Sequence, residues 1–160
     1  MSIVHLHLLL NHVPVVGTLF VALILIAALR LKSSDMSKLG IWLLVGIGAL
    51  STAVYFTGEP AEDAVENLAG VSQAGIQAHE FAAEVSFVVA AIVAGFALMA
   101  LWMTRKNTVP RSLTNAFLVL TLVVAGFMTW TANLGGQIRH TEIRSGASAQ
   151  VGGEVEPPEH

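Results

Sequence analysis

Imidazoles and carboxylates recur at four places that are far apart along this chain. His12 stands in HLHLLLNHVP, Glu59 and Glu62 in TGEPAEDAVE, and His79, Glu80 and Glu84 in HEFAAE, while Asn133 and His140 lie in TANLGGQIRHTEI. Imidazole and carboxylate are the common protein ligands of iron, zinc, copper and manganese, so gathering these groups would make a transition-metal centre. The candidate ligand set is His12, His79 and His140 with Glu59, Glu62, Glu80 or Glu84, some of them orienting a ligating imidazole instead of binding. A b-type haem is the alternative, held by His12 and His79 from facing helices. The density of carboxylates favours an ion over haem, whose walls are apolar. With no cysteine, thiolate metal sites, thiol catalysis and disulfides are excluded. Ser51, Thr52 and Ser86 sit in apolar runs away from the histidines and follow no nucleophile motif, which makes a hydrolase the least favoured class.

The elements that must position these residues are membrane helices. Charged residues are 12% of the chain and hydrophobic ones 54%, against roughly 25% charged in a soluble domain. Apolar stretches run from about Ile3 to Leu31, Leu39 to Thr57, His79 to Met103 and Leu113 to Asn133, each near or above the ~20 residues that cross a bilayer. The fold class expected is all-α, a four-transmembrane-helix bundle over residues 1–144. A tail of small, polar and proline residues over 145–160 is expected to be disordered. The first segment lacks a basic start and a convincing cleavage site, so it is read as a retained helix and not a signal peptide.

Charge sets the orientation. Arg30, Lys32 and Lys38 flank the first loop and Arg105, Lys106 and Arg111 the third, whereas the second loop carries Glu59, Glu62, Asp63 and Glu66 with no base. Basic loops stay cytoplasmic, so both termini and the acidic loop are expected outside, in a multi-pass protein of a bacterial inner membrane. Six basic residues at the two short loops and two after the fourth span give no clustered face for nucleic acid. Counting ~20 residues at ~1.5 Å each from Leu29, Leu39, Trp102 and Leu113 reaches the far boundary near Leu10, Glu59, Ala83 and Asn133. The polar motifs therefore share one depth. No ionisable residue falls in the cytoplasmic half of any span, which argues against a proton wire or ion path.

Local signals refine each end. His5 and His12 are seven residues apart and share a face, while His7 points elsewhere. Pro14 removes a backbone donor, so the helix kinks or starts near Asn11. Gly58 ends the second span and Pro60 opens a short outward helix whose acids form one stripe. The stretch from Leu68 to Ala78 reads as a turn, which makes Glu80 a first-turn acid that could merely complement the helix dipole. Glu84 lies too deep for that. Gly135 and Gly136 should stop the fourth helix and let His140 fold back over the mouth. Gly17, Ala22, Gly46, Gly48, Ala90, Ala91, Ala94, Gly95, Ala125 and Gly126 mark expected close approaches between helices. Plain alternatives stand beside these readings: interfacial histidines without partners for His5 and His7, and a solvated surface for Asp63 and Glu66.

Taken together, HLHLLLNHVPVVG, TGEPAEDAVE, HEFAAE and TANLGGQIRH resemble a family of small four-helix bacterial membrane proteins of unknown function. The resemblance covers nearly everything but the tail and implies the four-helix topology. It implies a shared centre at His12, Glu59, Glu62, His79, Glu80 and His140, and no settled activity. The expected function is an outward-facing His/Glu metal centre with a redox or metal-handling role, whose partners besides the lipid bilayer would be a periplasmic redox protein or a larger membrane complex. The alternatives are the haem cytochrome and a non-catalytic subunit or assembly protein of such a complex.

Overall fold

The computed structural model describes residues 2–68 and 71–139, with the Arg139 side chain left out. The described residues form six helices: α1 (Ile3–Leu10), α2 (His12–Leu31), α3 (Ser34–Phe56), α4 (Gly58–Asp63), α5 (Gln73–Met103) and α6 (Arg111–Arg139). α1 and α2 make one span from Ile3 to Leu31, and α3, α5 and α6 supply the other three. The protein is thus an all-α bundle with four helices long and apolar enough to cross a membrane. The 145–160 tail lies outside the described residues.

Sequence chemistry explains the joints. Ser2, Ser33 and Ser72 each cap a helix, accepting at Oγ from the backbone N–H three residues on. Lys32, with φ 54°, holds the left-handed conformation usually given to glycine. That turn sends the N–H groups of both Lys32 and Ser33 back to the Ala28 carbonyl, closing α2 and reversing the chain within two residues. Asn11 alone separates α1 from α2, because Pro14 has no N–H to give the Leu10 carbonyl. Helix stands on both sides of Asn11, whose backbone stays right-handed helical and whose side chain makes no cap bond.

Two boundaries differ from expectation. α5 begins at Gln73, so His79 and Glu80 lie in its second turn, and the first turn holds no acid. Dipole complementation therefore does not account for Glu80. α6 runs through Gly135 and Gly136 to Arg139 instead of stopping at them. A glycine pair breaks a helix only where nothing else holds it, and here α6 stays packed on α5.

α2 packs on α3 and α6, and α5 packs on the same two, so the spans form an up-and-down ring with few contacts across its diagonals. Val21, Leu25, Ile41, Leu44, Val93, Ala97, Phe117 and Val124 fill the centre. Phe20, Leu23, Phe96, Met99, Val119 and Leu122 face outward, and helices apolar all round belong in lipid. α3 and α5 approach closely where Gly48 meets Ala94 and the Ala90 carbonyl, leaving no room for a Cβ. Gly46, Gly95 and Gly126 were expected at such contacts and instead face open space. Residues 46 and 48 are about 200° apart on a helix, so only one of them can face a neighbour.

Candidate functional site

The polar end of the bundle is organised around His79. Its half-buried imidazole bridges from α5 to α6, where Nδ1 donates to the Thr131 carbonyl at 3.0 Å. A carbonyl only accepts, so the proton sits on Nδ1 and the Nε2 lone pair is left for another partner. The ring rests on the bare backbone of Gly135. A Cβ there would lie 2.9 Å from Cε1 and 3.1 Å from Nδ1 of His79. The glycine expected to end a helix instead seats an imidazole.

Beneath this contact α5 and α6 are pinned by hydroxyls. Thr131 Oγ1 lies 2.9 Å from the Ala82 carbonyl and 2.7 Å from Ser86 Oγ, and Ser86 in turn reaches the Phe127 carbonyl at 3.0 Å. Ser86 is 2% exposed, so these bonds form away from water, where an unmet hydroxyl is costly. Thr131 thereby serves two purposes: its hydroxyl clamps the helices and its carbonyl sets the tautomer of His79.

His7 provides the second oriented imidazole. Thr57 donates its hydroxyl proton to the Val54 carbonyl at 2.8 Å, which leaves Thr57 Oγ1 to accept from His7 Nδ1 at 3.1 Å. His7 is half-buried, its Nε2 is likewise uncommitted by these bonds, and it lies within electrostatic range of His79. Four residues on, and so on the same helical face, Asn11 Oδ1 is buried with no hydrogen-bond donor among the described residues.

His12 occupies the opposite side. It is exposed, and its Nδ1 bonds the Leu8 carbonyl at 3.2 Å within its own segment. Five residues of helix turn the chain by about 140° past a full circle, so a buried His7 sends His12 outward. His5 shares the outer face with His12 as expected and is exposed, bonded to Ser2 Oγ at 2.7 Å. Which face of this segment turns inward was not legible from the sequence.

A carboxyl pair stands beside the histidines. Glu62 on α4 shares a hydrogen bond with Glu80 on α5. Partial burial, that bond, and the charges of Glu80, Asp63 and Glu66 together push the Glu62 carboxyl up to about 7. Two carboxylates this close hold one proton between them more readily than two negative charges. Glu80 also places its charge beside His79, its chain neighbour.

The remaining candidates lie apart. Glu59 and Glu84 are exposed, and Asn133 is exposed with its Oδ1 accepting from Gln137 Nε2 at 2.7 Å. His140 falls outside the described residues. Among the described residues no three His, Asp or Glu side chains converge closely enough to enclose a metal ion. What the structure does bring together is His7 with His79, and Glu62 with Glu80. Comparison with known protein families, curated proteins and solved structures finds no match to the chain.

Proposed function

We propose that the polar end of the bundle is a transition-metal centre, with Nε2 of His7 and His79 as its imidazole donors and the Glu62 and Glu80 carboxylates beside them. The carrying observation is that both imidazoles are held at Nδ1 by oxygens from outside their own helices, Thr57 Oγ1 between α3 and α4 and the Thr131 carbonyl on α6. That is how ligating histidines are oriented, since a fixed Nδ1–H aims Nε2 and raises its basicity. A cation would also relieve the proton shared by the two acids and give the buried Asn11 Oδ1 a partner. His140 follows directly on α6, whose Gly135 carries the His79 ring, and is retained as a further ligand.

Drawing three donors onto one ion asks for an inward movement of α1 or α4. α1 has no buried residue of its own and joins α2 through Asn11 alone. The shared carboxyl proton would leave as the ion binds, so uptake would be favoured by rising pH. On this reading the protein is a bacterial inner-membrane protein with the centre facing outward, in a redox or metal-handling role, served by a periplasmic redox partner or a larger membrane complex.

Haem b is the second reading, and one observation bears on its ligands. His12 points away from the bundle and His7 toward it, so a haem would take His7 with His79. Elemental analysis and an absorption spectrum of purified protein separate the two, because only haem gives a Soret band. His79→Ala should lose the metal in the first case and the band in the second. Wild-type protein with neither cofactor, or a His79→Ala variant with unchanged content, overturns both and leaves the subunit or assembly role, for which stable co-purification with partners is the sign.

A further inference from the structure

The basic end of the bundle holds more than topological charge. On α3, Lys38 and Trp42 are one turn apart. On α5 and just past it, Leu98, Leu101, Trp102 and Arg105 follow at helical spacing. Because α3 leaves this end and α5 arrives at it, the two sets meet and line an open groove of about 420 Å³, within the ~300–1,000 Å³ of small-ligand sites.

The chemistry of the groove is layered by depth. Leu98 and buried Leu101 make its inner part, Trp42 and Trp102 stand at the level where aromatic rings mark a membrane boundary, and the two cations close its outer rim. Arg105 is already oriented. Its guanidinium lies over the Trp102 ring at 4.8 Å and Nη1 donates to the Trp102 carbonyl at 3.0 Å. A guanidinium carries five N–H donors in a fixed fork suited to phosphate oxygens, so further donors remain for a second partner. Lys38, half-buried against the groove, adds a compact charge. Arg30, Lys32, Lys106 and Arg111 belong to the same end of the bundle without lining the groove, and Asp35 is the one acid that the sequence places at this end.

We infer that the α3/α5 groove binds one anionic phospholipid, its phosphate between Lys38 and Arg105 and its acyl chain along Leu98 and Leu101. A basic pocket between helices above an apolar floor is what a lipid phosphate on a diacyl body requires. The apolar floor distinguishes this occupant from a soluble phosphate.

The test uses full-length protein carrying Trp130→Phe, so that Trp42 and Trp102 supply the fluorescence, in phosphatidylcholine vesicles containing phosphatidylglycerol. Bromine is placed on the acyl chains of one lipid or the other at equal mole fraction. Brominated phosphatidylglycerol should quench as though enriched about five-fold at the groove. Lys38→Gln/Arg105→Gln should abolish that preference, while Arg30→Gln/Lys106→Gln, which removes the same charge from exposed positions, should keep it. Retained helicity and monodisperse elution show that each variant is folded. Equal quenching by the two lipids, a preference that survives Lys38→Gln/Arg105→Gln, or relief of quenching by millimolar glycerol phosphate overturns the inference.

Discussion

His79 and Thr131 are joined by a 3.0 Å bond from the imidazole Nδ1 to a main-chain carbonyl, and the same threonine clamps α5 to α6 through its side chain. Orientation of the imidazole and cohesion of the helix pair therefore pass through one residue by two separate atoms. Substitution can divide them. Thr131→Val keeps the carbonyl and the shape but removes the hydroxyl, leaving Ser86 to the Phe127 carbonyl alone. A loss of about 1–3 kcal/mol in unfolding free energy is expected for the broken buried bonds, with cofactor content unchanged. Denaturant unfolding in detergent micelles beside metal analysis checks it, and loss of cofactor at unchanged stability would contradict it.

Gly135→Ala should have the opposite profile. Its new methyl would meet the His79 ring at 2.9 Å, so the imidazole must leave its seat and the bond to Thr131 with it. The expected result is a changed ¹⁵N signature of the His79 ring and a marked fall in bound cofactor. Stability falls by about 1–3 kcal/mol as in other overpacked sites. Gly126→Ala is the control: it meets nothing within 4 Å and should leave both quantities unchanged, or stabilise α6 by up to about 1 kcal/mol.

Comparison of His7 and His12 tests which face of the first span is functional. His7→Ala should reduce bound metal or haem about as strongly as His79→Ala, because each removes one of two oriented Nε2 donors. His12→Ala should leave it within error, since that ring is exposed and bonded within its own segment. Metal content measured on the three variants decides the matter. A loss in His12→Ala with His7→Ala unaffected would reverse the assignment.

These cases show where sequence stops informing. Apolar length and loop charge sufficed for four spans and one polar end, because both depend on composition alone. Helix rise placed His12, Glu59, His79, Glu84 and Asn133 at a common level. It could not say which side of α1 faces inward, since HLHLLLNH carries histidines on both faces and the Leu residues between them suit lipid and protein equally. The Thr131 and Ser86 clamp was hidden for a related reason: a hydroxyl in an apolar run more often bonds its own helix, as Thr121 does to Phe117. Gly135 had a signal, a glycine one position after Leu134 near a boundary, but a helix stop and a ring seat share it.

Glu62 gives the pH dependence. Its carboxyl is raised to about 7 from an ordinary 4.5, by partial burial first, then by the bond and charge of Glu80, and by Asp63 and Glu66. Between those two values the folded chain keeps a proton that the unfolded chain releases. Proton binding that favours the folded state makes the contribution of this group fall as pH rises from about 4.5 to about 7, beyond which no further loss occurs. Solvent at this partly exposed site reduces the size of the effect but not its sign. Glu62→Gln should therefore be stabilised relative to wild type at pH 8 and lose that advantage by pH 4. Glu80→Gln, which removes the neighbouring charge, should return the Glu62 titration toward its ordinary range. Unfolding midpoints of chelator-treated protein across that interval, with ¹³C-labelled glutamate followed by NMR, measure both. Parallel stability curves for wild type and Glu62→Gln would show that the two carboxyls do not share a proton.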